Sequence, residues 1–234
     1  MDSFSRIKEE LASRPAVAAP PSTEEQDALR ADLEYWVPDL PSLFRRKTVL
    51  DLGAGTGRLG LLIATHFEPA AVVSVDIVLH RLRAAVAPAR AVPSLKIVCG
   101  DVFALPFPDA SFDCVIANSV LHHLPGVTQA TKEIGRILRP CGYYIGGEPN
   151  FNNPAVRWSV FGLGRKWFCR GIPTPNEYPL RAREIVHSFA AAGCRCDLVY
   201  FWRRFPRFRH PILSAAISVR AQRLPAGATR SHPA

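Results

Sequence analysis

Two histidines stand side by side at His122 and His123, in the run Asn118-Ser119-Val120-Leu121-His122-His123-Leu124. A single carboxylate, Glu148, closes the next apolar run, YYIGGE. An imidazole titrates near neutral pH and can take a proton from a hydroxyl, and a carboxylate beside it fixes its tautomer. A second constellation lies upstream in Val49–Gly60, VLDLGAGTGRLG, where Asp51 precedes Gly53, Ala54, Gly55 and Gly57. Glycines between a strand and a helix let the backbone turn sharply and approach a ligand closely. The helix start then offers N–H groups to a negative group. The dinucleotide fingerprint G-x-G-x-x-G/A does not fit, because Gly53 and Gly55 are followed at the third position by Arg58, which is too large. Starting from Gly55, with Gly57 and Gly60, begins the loop late. Asp51 would be a poor neighbour for a pyrophosphate and a good one for an ammonium. Asp76 and Asp101 follow later apolar runs, and an acid at the first of these places can accept the two hydroxyls of a ribose.

These residues need a frame that brings them to one edge. Short apolar runs at Thr48–Leu52, Ala71–Asp76, Leu95–Cys99, Phe112–Ala117 and Tyr143–Gly147 predict strands buried on both faces. Between most of them, Arg58–Phe67, Val78–Val86 and Val127–Leu138 have helical patterns. Strands alternating with helices indicate a doubly wound, mostly parallel α/β sheet. Upstream, Ser22 or Thr23 can cap a helix carrying Leu29, Leu33 and Trp36, closed by Pro38 and Pro41. Downstream, a helix over Arg181–Ala192 stops at Gly193, and Cys194–Phe201 and Ala215–Arg220 read as two further strands in a hairpin.

The pattern D-x-G-x-G-x-G, here Asp51, Gly53, Gly55 and Gly57, resembles the first motif of class I S-adenosylmethionine-dependent methyltransferases. The blocks ALPFPDASFDCVIANSVLHHL and EIGRILRPCGYY resemble the region of the fourth and fifth strands in that family, with Pro140-Cys141-Gly142 in place of the usual P-G-G turn. The resemblance is specific over about residues 47–148 and extends to about 222. It implies a Rossmann-like methyltransferase fold of seven strands with an antiparallel last strand. It further implies S-adenosyl-L-methionine as cofactor, cradled by Gly53, Ala54, Gly55 and Gly57 with Asp51 on the ammonium side. Asp76 would hold the ribose, Ile77 would cover one face of the adenine, and Asp101 would receive its amino group beside the Val102 N–H. Asn118 would border the cofactor. His122 is the expected base, His123 the second choice, and Glu148 the residue that orients it.

The chain of 234 residues carries a net charge of +9, unevenly spread. From Arg157 onward it has 14 Lys and Arg against 3 Asp and Glu, a balance of +11, so the remainder carries −2. A basic third on a nearly neutral body suits an anionic or lipid-like small-molecule acceptor, or peripheral contact with a membrane. A nucleic-acid partner is disfavoured, since Asn118-Ser119-Val120-Leu121 stands where base amino-methylation uses N/D-P-P-Y/F. A non-catalytic protein that keeps the fold is a further reading, against which the full set of loop glycines and acids speaks. No metal-binding cluster is expected. The six cysteines lack a C-x-x-C pair and read as small buried hydrophobes. With no secretory signal pattern and no membrane-spanning run, the expected location is cytoplasmic. The division expected is a tail and lid helix at 1–46, a cofactor-binding core at 47–150, a substrate cover at 151–180, a helix and strand pair at 181–223, and a tail at 224–234. Within the cover, Trp158, Arg165 and Trp167 are candidates for acceptor contact.

Overall fold

Seven strands form one sheet in the order β3-β2-β1-β4-β5-β7-β6, in a computed structural model that describes residues 22–37, 39–161, 178–202 and 209–225. In chain order the elements are α1 (Thr23–Trp36), α2 (Leu40–Phe44), β1 (Thr48–Leu52), α3 (Arg58–His66), β2 (Ala71–Asp76), α4 (Leu79–Arg90), β3 (Leu95–Cys99) and β4 (Phe112–Asn118). There follow a 3₁₀ turn (Leu121–His123), α5 (Val127–Ile137), β5 (Leu138–Pro149), α6 (Pro154–Phe161), α7 (Ala182–Ala191), β6 (Cys194–Phe201) and β7 (Ala216–Arg223). β1 to β5 pair in parallel, and β7 runs antiparallel between β5 and β6. The expected sheet, including its antiparallel last strand, is the one found.

The apolar strands divide their side chains between two cores. Val49, Val72, Ile116 and Ile145 pack with Leu33 and Val37 at the end of α1, Phe44 of α2, and Leu62 and Ile63 of α3. Leu50, Val115 and Tyr144 face the other way, toward Ile134 of α5 and Phe189 of α7. Burial on both faces is why the strands read as continuous apolar runs rather than as alternation. Ser22 caps α1, its hydroxyl accepting from the Glu25 N–H at 3.2 Å while the Glu25 carboxylate accepts from the Ser22 N–H at 2.8 Å.

Three elements depart from the sequence reading. Pro41 does not merely close a segment: it sits in the first turn of α2, where a missing N–H costs nothing. α4 continues past Val86 to Arg90 with Pro88 in its last turn. β5 begins at Leu138 rather than Tyr143, with a register irregularity opposite Phe112–Cys114 and Cys141 at positive φ.

Tyr144 is fully buried, its ring 4.7 Å from that of Phe189, and its hydroxyl has no hydrogen-bond partner among the described residues. A Cβ at Gly146 would lie 2.5 Å from that hydroxyl, so only glycine fits there. Burying an unpaired hydroxyl is unfavourable, so Tyr144→Phe is expected to raise stability by about 1 kcal/mol. The check is a higher urea midpoint with an unchanged slope.

Candidate active site

The glycine loop leaves the end of β1 with Gly53, Gly55 and Gly57 all in the left-handed region, at φ of 68°, 56° and 74°. Beyond φ, the loop has no room for side chains: a Cβ on Gly53 would lie 2.6 Å from Val120, and one on Gly57 2.5 Å from the Cβ of Ala85. The Arg81 guanidinium lies over the loop, 3.0 Å from where a Gly55 Cβ would stand. Sequence reasoning did not single out Arg81; its only signal was a cation five residues after Asp76.

Asp76, at the end of β2, holds the loop in place. One carboxylate oxygen accepts from the Gly55 N–H at 2.7 Å and the other from the Val78 N–H at 2.8 Å. A carboxylate offers about four acceptor sites, so two remain for further donors. Ile77 follows, half-buried. Asp101 starts a turn after β3, where one of its oxygens accepts from the Phe103 N–H at 2.8 Å, and Val102 is buried. Arg136 of α5 fastens this stretch by donating to the Leu105 and Phe107 carbonyls at 3.0 and 2.7 Å.

Asp51 lies deeper than the sequence reading placed it. It is buried under the loop, where its Oδ2 accepts from the Gly60 N–H at 3.0 Å and the Ser74 hydroxyl at 2.9 Å. A Cβ on Gly60 would fall 2.0 Å from the Ser74 hydroxyl, so Gly60 and Ser74 belong to this arrangement although the spacing argument passed over them. Burial pushes the Asp51 carboxyl up to about 7, against the opposing pull of its two donors. The folded protein therefore binds this proton more tightly than the unfolded chain. The resulting stability is full below the ordinary carboxylate range and is lost as pH rises through about 7. Asp51→Asn is expected to flatten that decline, as measured by urea unfolding at about pH 5 and about pH 8.

The histidine pair sits at the end of β4, beside the loop. Register pairs Asn118 with Gly147, which brings the ends of β4 and β5 together. Ser119 adopts a positive φ of 58°, rare outside glycine, and its N–H donates to the Gly147 carbonyl at 2.7 Å. The chain then enters the 3₁₀ turn. Glu148 accepts from the N–H groups of Val120, Leu121 and His122 at 3.2, 2.9 and 3.4 Å. It also meets the His122 Nδ1 at 2.6 Å. His122 is 4% exposed and Glu148 3%. A carboxylate accepts, so Nδ1 carries the hydrogen, and in the neutral tautomer that leaves the lone pair on Nε2. The His122 ring also lies 5.9 Å from the Phe151 ring, edge to face, and 4.0 Å from the His123 ring. His123 is half-buried. The meeting of His122 with Glu148, expected from neighbouring strand ends, is present.

Of the expected acceptor residues, Trp158 falls among the described residues. Trp158 lies on α6 and is 51% exposed. Arg165 and Trp167 lie outside the described residues. Near the histidine turn, the Tyr178 N–H donates to the His122 carbonyl at 2.7 Å. A groove of about 680 Å³ opens there between the starts of α5 and α7, lined among others by Leu124, Val127, Tyr178, Arg183 and His187.

Residues 50–146 match the model of a family described as a methyltransferase domain. The matched span contains the glycine loop, Asp76, Asp101 and the histidine pair. The matched span is a methyltransferase domain. The domain is 34% identical over 115 residues to a fatty-acid O-methyltransferase of Mycolicibacterium smegmatis, covering 46% of this chain and 40% of that protein. It is 33% identical over 125 residues to a demethylmenaquinone methyltransferase of Symbiobacterium thermophilum, covering 51% of this chain and 48% of that protein. The first curated relatives it matches are covered over less than half their length. Among solved structures it is similar to the [4+2]-cyclase SpnF, with TM-score 0.65 and 17% identity, covering 95% of this chain and 93% of that one. That likeness shows the fold alone.

The methyltransferase domain's residues fit S-adenosylmethionine. The loop is a close-approach cradle with no room for side chains, and Asp76 keeps acceptor sites beside it. No phosphate-binding lysine stands in the loop.

Proposed function

We propose that the chain is an S-adenosylmethionine-dependent enzyme that methylates a small, lipid-like acceptor at a hydroxyl. The observation carrying this reading is the buried 2.6 Å contact between His122 and Glu148, set against the glycine loop through Val120. Gly53, Ala54, Gly55 and Gly57 would bound the methionine part, with Asp51 behind them on the ammonium side. Asp76 would accept the ribose hydroxyls, and Ile77, Asp101 and Val102 would receive the adenine. Asn118, exposed at the end of β4, would border the reacting end. The bound cofactor supplies a methyl group already activated on a sulfonium. The chain's part is then to position the acceptor and remove its proton. As the acceptor oxygen takes that methyl group and the thioether leaves, Nε2 of His122 would receive the hydroxyl proton. Glu148 holds the ring's tautomer and stabilises the imidazolium that forms. His123, its ring tilted against the same ring at 4.0 Å, is the second candidate for that proton.

The relatives named for a fatty acid and for demethylmenaquinone support a lipid-like acceptor. The groove beside the turn, with apolar walls and Arg183 and His187 at its side, would admit a chain bearing an anionic group. Similarity to the demethylmenaquinone enzyme also favours a second reading, methylation of a quinone-type ring carbon. The test is incubation with labelled S-adenosylmethionine and a panel of fatty acids, hydroxylated lipids and demethylated quinones, with the product located by mass and NMR. An O-methyl product is expected, and a C-methyl product would select the second reading. Cofactor binding without methylated product across the panel would reject both, since one fold hosts unlike reactions.

A further inference from the structure

The stretch 209–214, Arg-His-Pro-Ile-Leu-Ser, forms a braced, exposed tip. Ile212 is 50% and Leu213 49% exposed, and Arg209, His210 and Pro211 are exposed as well. Exposed loops with apolar ends are ordinarily loosely held, but this one is fixed from below. The Asn150 side-chain amide donates to the carbonyls of Pro211 at 3.0 Å and Ser214 at 2.8 Å. The Asn153 amide donates to the carbonyl of Leu213 at 2.8 Å. From within, the His210 Nδ1 accepts from the N–H groups of Ile212 and Leu213 at 3.1 and 3.2 Å, and the Ser214 hydroxyl accepts from the His210 N–H at 2.8 Å. Both asparagines are buried. Two apolar side chains are thus displayed to solvent on a turn that cannot fold them inward.

The neighbourhood is apolar and basic. Asn153 also starts α6, accepting from the Ala155 N–H at 2.8 Å, and α6 carries the exposed Arg157 and Trp158 just beyond it. Arg209, exposed, opens the tip. Exposed aromatic and aliphatic side chains amid arginines suit the boundary of an anionic lipid layer, where apolar groups enter the acyl region and cations stay at the headgroups. Position gives this meaning. Asn150 follows Glu148 by two residues, and its N–H donates to the Ala215 carbonyl at 2.9 Å. The tip therefore stands at the same edge of the sheet as the glycine loop and His122.

We propose that this tip and the start of α6 dock the protein on an anionic membrane surface, turning the edge that bears the active site toward the lipid. This deepens the reading of a lipid-like acceptor, and rests on it only for the benefit that docking brings. The surface itself can be tested without catalysis. The full chain is sedimented with vesicles of phosphatidylcholine alone and with about 30% phosphatidylglycerol added. Binding is expected to the anionic vesicles, weakening as salt rises. In the double variant Ile212→Asp, Leu213→Asp it is expected to fall at least roughly ten-fold, with melting temperature and S-adenosylmethionine affinity unchanged. Trp158→Phe is expected to reduce the blue shift of tryptophan emission on vesicle addition. Failure of the wild type to bind either vesicle would overturn the proposal, as would equal binding by the double variant. So would an oligomer that the double variant breaks into monomers, since the tip would then be an interface between copies. Methylation of a detergent-dispersed acceptor separates the two readings. If it persists while vesicle binding is absent, only the docking surface falls. If vesicle binding holds and no acceptor is methylated, the surface stands and the acceptor reading falls.

Discussion

His122→Ala is expected to lower turnover by roughly 10²–10⁴-fold, the range ordinarily lost with a positioned general base. The affinity for S-adenosylmethionine should stay within a few-fold. The reason lies in how the site is divided. The glycine loop, Asp76 and Asp101 are held by contacts in which the imidazole takes no part. Glu148 keeps its three backbone donors from Val120, Leu121 and His122 when the ring is removed, so the turn retains its cap. The ring is buried, so some loss of stability is expected as well, and a thermal melt of each variant distinguishes that from lost chemistry. Glu148→Gln provides the companion measurement. An amide can still accept the turn's N–H bonds but no longer offers a charge to an imidazolium, so turnover should fall less than in His122→Ala while the fold persists. Single-turnover rates with saturating cofactor are the reading. Full turnover in His122→Ala would remove the base role from this residue, and full turnover in His123→Ala as well would remove it from the pair.

Asp76→Ala is expected to weaken S-adenosylmethionine binding by roughly 100-fold, since hydrogen bonds to a charged group each contribute about 1.5–3 kcal/mol. Two effects combine. The ribose would lose its acceptor, and the loop would lose the carboxylate that fixes the Gly55 and Val78 N–H groups at 2.7 and 2.8 Å. Asp76→Asn separates them, because an amide retains one acceptor oxygen for the loop. Calorimetric titration with S-adenosylmethionine, S-adenosylhomocysteine and NAD reads the result. NAD should not bind the wild type, since the third position of the dinucleotide fingerprint is Arg58, which instead pairs with Glu25 of α1 at 2.7 Å. Unchanged affinity in Asp76→Ala would mean that the ribose is held elsewhere.

Much of this was legible in the sequence because it depends on short-range rules. Apolar runs broken by helical patterns fix a parallel sheet, since a crossover helix must cover each face. Positive φ at three alternating glycines is a backbone requirement that residue type alone can announce. The acid at the end of β2 and the histidines after β4 could be placed at one edge because successive strands of such a sheet point the same way. What the sequence missed falls where neighbours from distant segments decide. Gly60 looked optional until Ser74 and Asp51 were seen to close on it from β2 and β1. The early start of β5 at Leu138 is set by its pairing with Phe112, which no local pattern encodes.

The sequence by itself therefore determined the sheet and the loop's backbone, because these follow from periodicity and from glycine, while the cofactor was implied by the loop motif's resemblance to a known family. Only the tertiary structure decided that Asp51 is a buried brace beneath the loop, because its depth depends on how β1, β2 and α3 pack around it. Only the tertiary structure chose His122 over its neighbour as the partner of Glu148. The two histidines are adjacent in sequence and their rings lie 4.0 Å apart, but the end of β5 brings Glu148 to the Nδ1 of His122.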